Sequence, residues 1–323
     1  MKNILFIPDS SLGHKLNSNT AIFVKREISK ENYYTNEFGW RVENKGEQYK
    51  EKELGFFGCS WTMGVGNDYC DSIVGHIEKI LQKPSNNLGV GSYSLLQINL
   101  AIKKNIKFLL KSKIYIMYGS WQLDRCIKDR ATAMTFRPIL TKNSKNEKFQ
   151  INEPKNPPFF LVSTFIKINN SKLFFKKFLL KLLIAGSAIY HGIFIRFIEK
   201  IFNLQKWTRL NIKNDRNKIL NYCLNDLTNI AKKYNKKISI LHLPAFNRKI
   251  DTIKELSDLD KETISNFVKE SNFIDYYYLE ESEKEFLNYF NTNEINEIFW
   301  QDTNHPNGKG SKIIAEEISN IIK

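Results

Sequence analysis

The stretch "FFGCSWTMGVG", residues 56–66, decides the fold. A short apolar run leads to Ser60, which is followed by small residues and glycines. This pattern predicts a buried strand that turns sharply into a helix, because glycine tolerates the positive φ angles of tight turns. Open α/β sheets bind ligands at the carboxyl ends of such strands. Ser60 is therefore a candidate nucleophile, although strand-to-helix turns are also rich in serine and glycine for purely structural reasons.

The neighbouring segments alternate between strand-like and helix-like patterns. Short apolar runs predict strands at residues 54–59, 86–91 and 113–119, and amphipathic spacing predicts helices at 68–81 and 92–103. The alternation resumes later, with a helix at 215–234, a strand at 237–243, a helix near 260–270, the segment "FIDYYYL" at 273–279 and a closing helix at 308–322. Parallel strands need helical crossovers, so this order predicts an α/β domain with helices on both faces of a mostly parallel sheet.

The length and net charge of the chain limit the size of its core and the kind of partner that we expect. The chain has 323 residues, of which 42% are hydrophobic, enough to bury one large core or a core with an insertion. Its formal net charge is +15, but the lysines are scattered over several segments instead of forming one stripe. The charge permits an anionic partner, and we do not expect that partner to be nucleic acid.

The cysteines and the first residues indicate which cellular compartment we expect for the protein. Cysteines at 59, 70, 126 and 223 form no CxxC pair, so we predict neither a zinc site nor a disulfide framework and favour a reducing compartment. Cys59, at the end of an apolar strand, is interpreted as a buried thiol. The opening "MKNILFIPDSS" has too short an apolar run for a signal peptide, so we expect a cytoplasmic protein.

Two regions differ from the alternating pattern. Residues 1–50 are polar and are predicted to form an extended lead-in, with turns at "DSSLGHK" and "TNEFGW", packed on the domain of residues 51–323. Residues 143–158 have the composition of a polar surface loop, and residues 159–168 are a strand candidate. We expect the insertion at about 140–210 to be mainly helical.

The insertion contains a strongly apolar, basic segment, residues 172–207. Its core, residues 178–202, includes an uncharged run at 182–195, which is shorter than the ~20 residues that a spanning helix needs. The favoured interpretation is buried helices capping the carboxyl edge of the sheet. Peripheral membrane contact through residues 172–207 is the second interpretation, and a membrane span is the third.

A serine nucleophile needs a base, which is usually an imidazole oriented by a carboxylate. His305 has Asp302 three residues before it, a spacing that lets both side chains lie on one side of a turn. The glycines that follow place this turn just before the closing helix. Taken alone, "DTNHPNG" also fits a solvated turn with a helix cap. The remaining histidines lack such a partner and predict no metal site: His14, His76, His191 and His242. On its strand, His242 is interpreted as a satisfied core histidine.

Three blocks together resemble the SGNH (GDSL-like) hydrolase family. They are "GCSWTMGVG" at 58–66, "NNLGVGSYS" at 86–94 and "DTNHPNGKG" at 302–310. The lead-in segments "PDSSLGHKL" (8–16) and "YTNEFGWRV" (34–42) are also similar to those of bacterial members, and residues from about 140 to 235 are not covered. The resemblance implies a flavodoxin-like three-layer α/β/α sandwich, with no cofactor or metal.

The resemblance also implies ester hydrolysis by a serine triad. Ser60 is then the nucleophile, His305 the general base and later acid, and Asp302 the group that orients His305. The backbone N–H groups of Ser60 and Gly91 are implied as the oxyanion hole, which stabilises the negative oxygen of the intermediate.

One block departs from the family pattern. The third block is expected to carry Gly-x-Asn-Asp, whose asparagine donates to the oxyanion, whereas this chain has "YGSWQLDR" at 118–125. Ser120 and Gln122 are the candidate replacement donors. Asp124 and Arg125 have two interpretations: they bind substrate, or they form a structural ion pair.

Three functions are consistent with these patterns. The first is a serine esterase acting on a small-molecule or glycan ester, with an O-acetylated carbohydrate or glycolipid as the substrate suggested by family analogy. The second is an acyltransferase that uses the same triad and a different acceptor. The third is a non-catalytic scaffold that kept the fold and uses its basic surface for binding. The sequence does not predict the oligomeric state.

Overall fold

The computed structural model describes residues 4–25, 29–128, 137–143, 148–154, 207–208, 210–244, 250–301 and 304–323. Its strands are β1 (Phe6–Asp9), β2 (Gly13–Leu16), β3 (Ala21–Lys25), β4 (Lys30–Thr35), β5 (Arg41–Val42), β6 (Leu54–Gly58), β7 (Ser85–Gly89), β8 (Lys113–Tyr118), β9 (Ile139–Asn143), β10 (Phe149–Asn152), β11 (Trp207–Thr208), β12 (Ile238–His242) and β13 (Ile274–Tyr278). Its α-helices are α1 (Ser60–Met63), α2 (Ile73–Leu81), α3 (Leu95–Asn105), α4 (Trp121–Asp124), α5 (Ile212–Lys233), α6 (Ile250–Lys269), α7 (Glu280–Asn291) and α8 (Gly308–Ile322).

An eight-stranded sheet, in the order β13-β12-β8-β6-β7-β5-β4-β3, forms the centre of the fold. The strands from β13 to β7 pair in parallel, and β5, β4 and β3 continue the sheet as antiparallel strands. Numbered along the chain, the five parallel strands have the order 2-1-3-4-5, which is the flavodoxin-like order. The predicted fold class, an α/β/α sandwich with a mostly parallel sheet, is confirmed.

Helices cover the sheet as two outer layers. One layer contains α2 and α8, which pack along each other, together with α7. The other contains α3, α5 and α6, which contact one another in that order. The central strands β6 and β8 are buried almost throughout, and Phe56 stacks on Tyr115 across them with ring centroids 5.2 Å apart. Burial on both faces explains why these strands are continuous apolar runs.

The lead-in contains strands that the polar composition did not predict. β1 and β2 form a hairpin, and β3 to β5 extend the central sheet. In β4 the buried positions are Glu31, Tyr33 and Thr35, whose polar groups are satisfied by hydrogen bonds such as Ser29 Oγ to Glu31 (2.9 Å). Polar side chains at buried positions conceal the apolar alternation by which strands are normally recognised.

The structure describes only residues 139–143, 148–154, 207–208 and 210 of the insertion, and the prediction that it is mainly helical falls chiefly on residues outside the described ranges. In the described part the chain forms a three-stranded antiparallel sheet, β10-β9-β11, instead of helices, and β10 lies inside the predicted loop at 143–158. These strands are only two to five residues long and mix apolar with polar side chains, so they carry little periodic signal. Helix α7 was also not predicted. The strand candidate at 159–168 and the apolar core at 178–202 lie outside the described residues.

Among the residues that the structure describes, no helix is both long and apolar enough to cross a bilayer.

Candidate functional site

The candidate site lies at the carboxyl ends of the parallel strands, where the chain order reverses. From β6 the chain passes to β7 on one side and then to β8 on the other, so a crevice opens between the ends of β6 and β8. Ser60 begins α1 directly after β6, and Trp121 begins α4 after β8. The rings of Trp61 and Trp121 are 5.0 Å apart across this point. The predicted serine therefore lies at the ligand-binding edge of the sheet.

Glycines shape the turn that carries Ser60. A Cβ on Gly58 would overlap the Thr62 hydroxyl, so α1 can fold back tightly on the end of β6 only because this position is glycine. Gly64 ends α1 with a φ of +78°, and its N–H donates to the carbonyls of Ser60 (3.0 Å) and Trp61 (3.1 Å). This geometry leaves Ser60 8% exposed at the floor of the crevice.

A buried arginine from the lead-in holds the other end of α1. Arg41 Nη1 donates to the carbonyls of Met63 and Gly64 (2.9 Å for the latter), and Nη2 donates to the Asn67 carbonyl (2.6 Å). Its guanidinium also lies 4.5 Å from the centre of the Tyr33 ring. Desolvation lowers the pKa of Arg41. The arginine satisfies carbonyls that a helix end leaves without intrahelical partners.

The turn that carries His305 docks on the serine turn. Trp61 Nε1 donates to the Asn304 carbonyl (3.0 Å), and Asn67 Nδ2 donates to the Pro306 carbonyl (2.9 Å). These bonds hold the residues on both sides of His305 against the segment that follows the serine. His305 itself is half-buried. Asp302, its predicted partner, lies outside the described residues.

The sequence after His305 explains the shape of this turn. Asn307 caps α8 by accepting hydrogen bonds from the N–H groups of Lys309 (3.0 Å) and Gly310 (3.1 Å). A Cβ on Gly310 would overlap the Ile298 carbonyl, so glycine is required for the close approach. The predicted closing helix, residues 308–322, is confirmed.

Gly91, the second predicted oxyanion residue, follows β7 on the other side of Ser60. Its carbonyl accepts a hydrogen bond from His14 Nε2 (2.8 Å), and Tyr93 Oη donates to the His14 carbonyl (2.8 Å). Burial lowers the pKa of His14 to about 4, so the imidazole is neutral at pH 7 and donates from Nε2. Among the described residues, the N–H groups of Ser60 and Gly91 make no hydrogen bond. Both remain available to a ligand.

The two candidate replacements for the missing asparagine have internal partners. Ser120 Oγ lies 3.1 Å from His242 Nε2, and Gln122 Nε2 donates to the Met117 carbonyl (3.1 Å). Both side chains are buried. His242 Nδ1 lies 2.8 Å from the Tyr276 hydroxyl, and burial lowers the pKa of His242 to about 3. The interpretation of His242 as a satisfied core histidine is confirmed.

Arg216, which the sequence analysis did not identify, fixes the turn after β8. It makes two 2.7 Å hydrogen bonds to the buried Asp260 carboxylate and one of 2.8 Å to Asp124, and it donates to the Ser120 carbonyl (3.0 Å). Asp124 therefore does form a structural ion pair, but its partner is Arg216 and not Arg125. No sequence signal connects these residues, because they come from three segments far apart in the chain.

No family model and no curated protein matches the chain. The contacts described above therefore carry the interpretation of the site.

Cys59 adjoins the candidate nucleophile and is fully buried, with its Sγ 4.0 Å from Ser60 Oγ. The interpretation of Cys59 as a buried thiol is confirmed. Within the described ranges, no cluster of three or more His, Cys, Asp or Glu side chains could hold a metal ion.

A pair of glycine substitutions tests the packing of the serine turn. Gly64 and Gly46 have nearly equal φ angles, +78° and +82°, but a Cβ on Gly64 would lie 2.7 Å from Arg41 Nη1, whereas a Cβ on Gly46 would meet nothing within 4 Å. Gly46→Ala is expected to cost about 1 kcal/mol through backbone strain alone. Gly64→Ala is expected to cost about 1–3 kcal/mol more through the overlap. Urea unfolding measures both, and equal costs would contradict the proposed packing.

Acid stability tests the burial of His242. Its pKa of about 3 in the folded protein lies below the value of about 6.5 in an unfolded chain. The unfolded chain therefore takes up the proton first, and this contribution to stability is present above pH 6.5 and is lost as the pH falls toward 3. We expect His242 to remove about 2 kcal/mol of unfolding free energy between pH 7 and pH 5.

Comparison of denaturant midpoints at the two pH values measures this loss. His242→Gln should flatten the pH dependence, and the matched change at the half-buried His76, His76→Gln, should flatten it less. If the denaturant midpoint of His242→Gln depends on pH as strongly as that of wild type, the fold does not hold this imidazole neutral.

Proposed function

We propose that the chain is a serine ester hydrolase of the SGNH type, with Ser60 as nucleophile and His305 as base. The docking of the His305 turn on the serine turn, through the Trp61–Asn304 hydrogen bond of 3.0 Å, is the observation that carries this proposal. Ser60 lies at the switch point of a flavodoxin-like sheet, which is where such folds bind ligands. The free N–H groups of Ser60 and Gly91 add a means of stabilising an oxyanion.

The proposed reaction has two steps. Ser60 Oγ attacks the ester carbonyl while His305 takes its proton, and the tetrahedral oxyanion accepts hydrogen bonds from the N–H groups of Ser60 and Gly91. The intermediate collapses to an acyl-serine and the alcohol leaves with the proton from His305. Water, deprotonated by His305, then attacks the acyl group, and Ser60 is released with the carboxylic acid. Asp302 orients the imidazole in both steps.

The shape of the crevice favours a short acyl group. A Cβ on Gly119 would overlap the Trp121 ring, so the indole lies directly over the backbone after β8. Trp61 packs beside it and against Phe299, with ring centroids 5.6 Å apart. We propose that these packed rings border the acyl group at Ser60 and limit its length. An acetyl ester of a carbohydrate or glycolipid is the substrate class that we propose.

A fluorophosphonate probe tests the nucleophile directly, because it phosphonylates only activated serines. Wild-type protein is expected to be labelled, and Ser60→Ala is expected to lose the label completely. Ser319→Ala is the matched control: its hydroxyl is buried in α8 without a hydrogen-bond partner, so the same chemical change should leave folding and labelling intact. Gel fluorescence and intact mass measure the outcome.

Two other outcomes would contradict the proposal. Absent labelling of folded wild type, combined with salt-sensitive binding to a polyanion, would favour a non-catalytic scaffold. Labelling with transfer of acetyl from 4-nitrophenyl acetate to an added sugar, in place of release to water, would identify an acyltransferase that uses the same serine.

A further inference from the structure

Arg125 lies beside the candidate site and has no acidic partner among the described residues. It follows α4 and donates from Nη1 to the Tyr93 carbonyl (3.1 Å), which joins the turn after β8 to the loop that carries Gly91. Its neighbour Asp124 pairs with Arg216 instead. Within the part of the chain that the structure describes, no carboxylate oxygen comes within 4.0 Å of the Arg125 guanidinium.

The positive charge of Arg125 affects the Cys59 thiol in the serine turn. Burial alone would raise the pKa of the Cys59 thiol. The positive charge of Arg125 and several hydrogen bonds, the first from the Trp61 N–H, have the opposite effect, and together they lower the pKa. Cys59 Sγ is only 4.0 Å from Ser60 Oγ. Ser60 follows β6 and Arg125 follows β8, and these neighbouring parallel strands end at the same edge of the sheet, so Arg125 lies near the proposed substrate position.

The charged groups near the loop of residues 91–93 include a second arginine and acidic side chains that pair with other cations. Arg137 Nε donates to the Ser92 carbonyl (3.1 Å), so a second guanidinium adjoins the loop of residues 91–93. Of the acidic groups, Asp9 pairs with Lys104 (2.9 Å) and Asp124 with Arg216. Among the described residues, the acidic groups next to this loop are therefore paired with cations other than Arg125.

We infer that Arg125 binds an anionic group, a carboxylate or a phosphate, on the alcohol part of the ester, and so selects acyl esters of acidic carriers. This inference rests on the proposed function for the ester itself. Arg125 is half-buried, so its unused N–H donors can be reached by a ligand, and its planar fork suits the two oxygens of a carboxylate or phosphate.

The test uses esters that differ in one charge. Acetyl release is measured from 4-acetoxybenzoate, from its neutral methyl ester and from 4-acetoxyphenyl phosphate, each corrected for its spontaneous hydrolysis. Wild type should prefer the anionic esters, and the preference should weaken with added salt. Arg125→Gln should lower the ratio of kcat/KM for anionic over neutral ester roughly tenfold or more, mainly through KM, and Arg125→Lys should retain most of it.

Lys128→Gln is the matched control, because it removes one positive charge from an exposed position three residues away. Its ratio should equal that of wild type. The inference is overturned if Arg125→Gln leaves the ratio unchanged or if Lys128→Gln lowers it equally. The carboxylate and phosphate arms separately show which anion is preferred.

A binding measurement tests the role of Arg125 without requiring ester hydrolysis. Calorimetry with Ser60→Ala gives the affinity for 4-hydroxybenzoate, the anionic product, and the added change Arg125→Gln should weaken that affinity roughly tenfold. Equal affinities would overturn the inference about Arg125 even if Ser60 is the nucleophile. Absent labelling of Ser60, with the binding difference retained, would instead refute only the hydrolase.

Discussion

The contact between Arg41 and the carboxyl end of α1 is the constraint on which the candidate site depends. A four-residue helix cannot hold its own shape, because almost all of its backbone groups lack intrahelical partners. The guanidinium supplies donors to three carbonyls in succession, those of Met63, Gly64 and Asn67. Hydrogen bonds to a charged group are each worth about 1.5–3 kcal/mol, more than neutral ones. The lead-in therefore acts as part of the serine turn.

A second buried arginine fixes the opposite wall of the crevice in the same manner. Arg216 crosses from α5 to the Asp260 carboxylate and the Ser120 carbonyl, and so holds the turn after β8 in place. Each wall is thus fixed by a cation that comes from a different part of the chain. Removing either cation would leave buried carbonyls or a buried carboxylate unpaired, which is strongly destabilising. The rigidity of the crevice depends on these long-range contacts more than on its own short helices.

The strands and turns that were predicted correctly are those with a clear local sequence pattern. The central strands β6 and β8 are largely apolar runs, and the turns at Ser60 and before α8 are marked by glycines that the structure requires. β4 was missed because polar side chains occupy most of its positions, and the other missed strands are two to five residues long, too short for a clear alternation. Arg41 and Arg216 were missed for a different reason. Their partners are separated along the chain, and no residue spacing records a contact formed only by folding.

In the proposed hydrolase, no asparagine after β8 donates to the oxyanion, so other groups must stabilise it. Ser120 and Gln122 face buried partners, so the proposed hole consists of the backbone N–H groups of Ser60 and Gly91. A hole made of backbone alone stabilises charge only if its peptides cannot rotate away. The peptide that carries the Gly91 N–H is restrained at its carbonyl, because the Val90 carbonyl accepts a hydrogen bond from the Tyr93 N–H (3.3 Å). His14 restrains the next peptide, because its Nε2–H donates to the Gly91 carbonyl and its burial keeps the ring neutral. In the proposed hydrolase, the lead-in thus fixes the loop beside the proposed oxyanion donor.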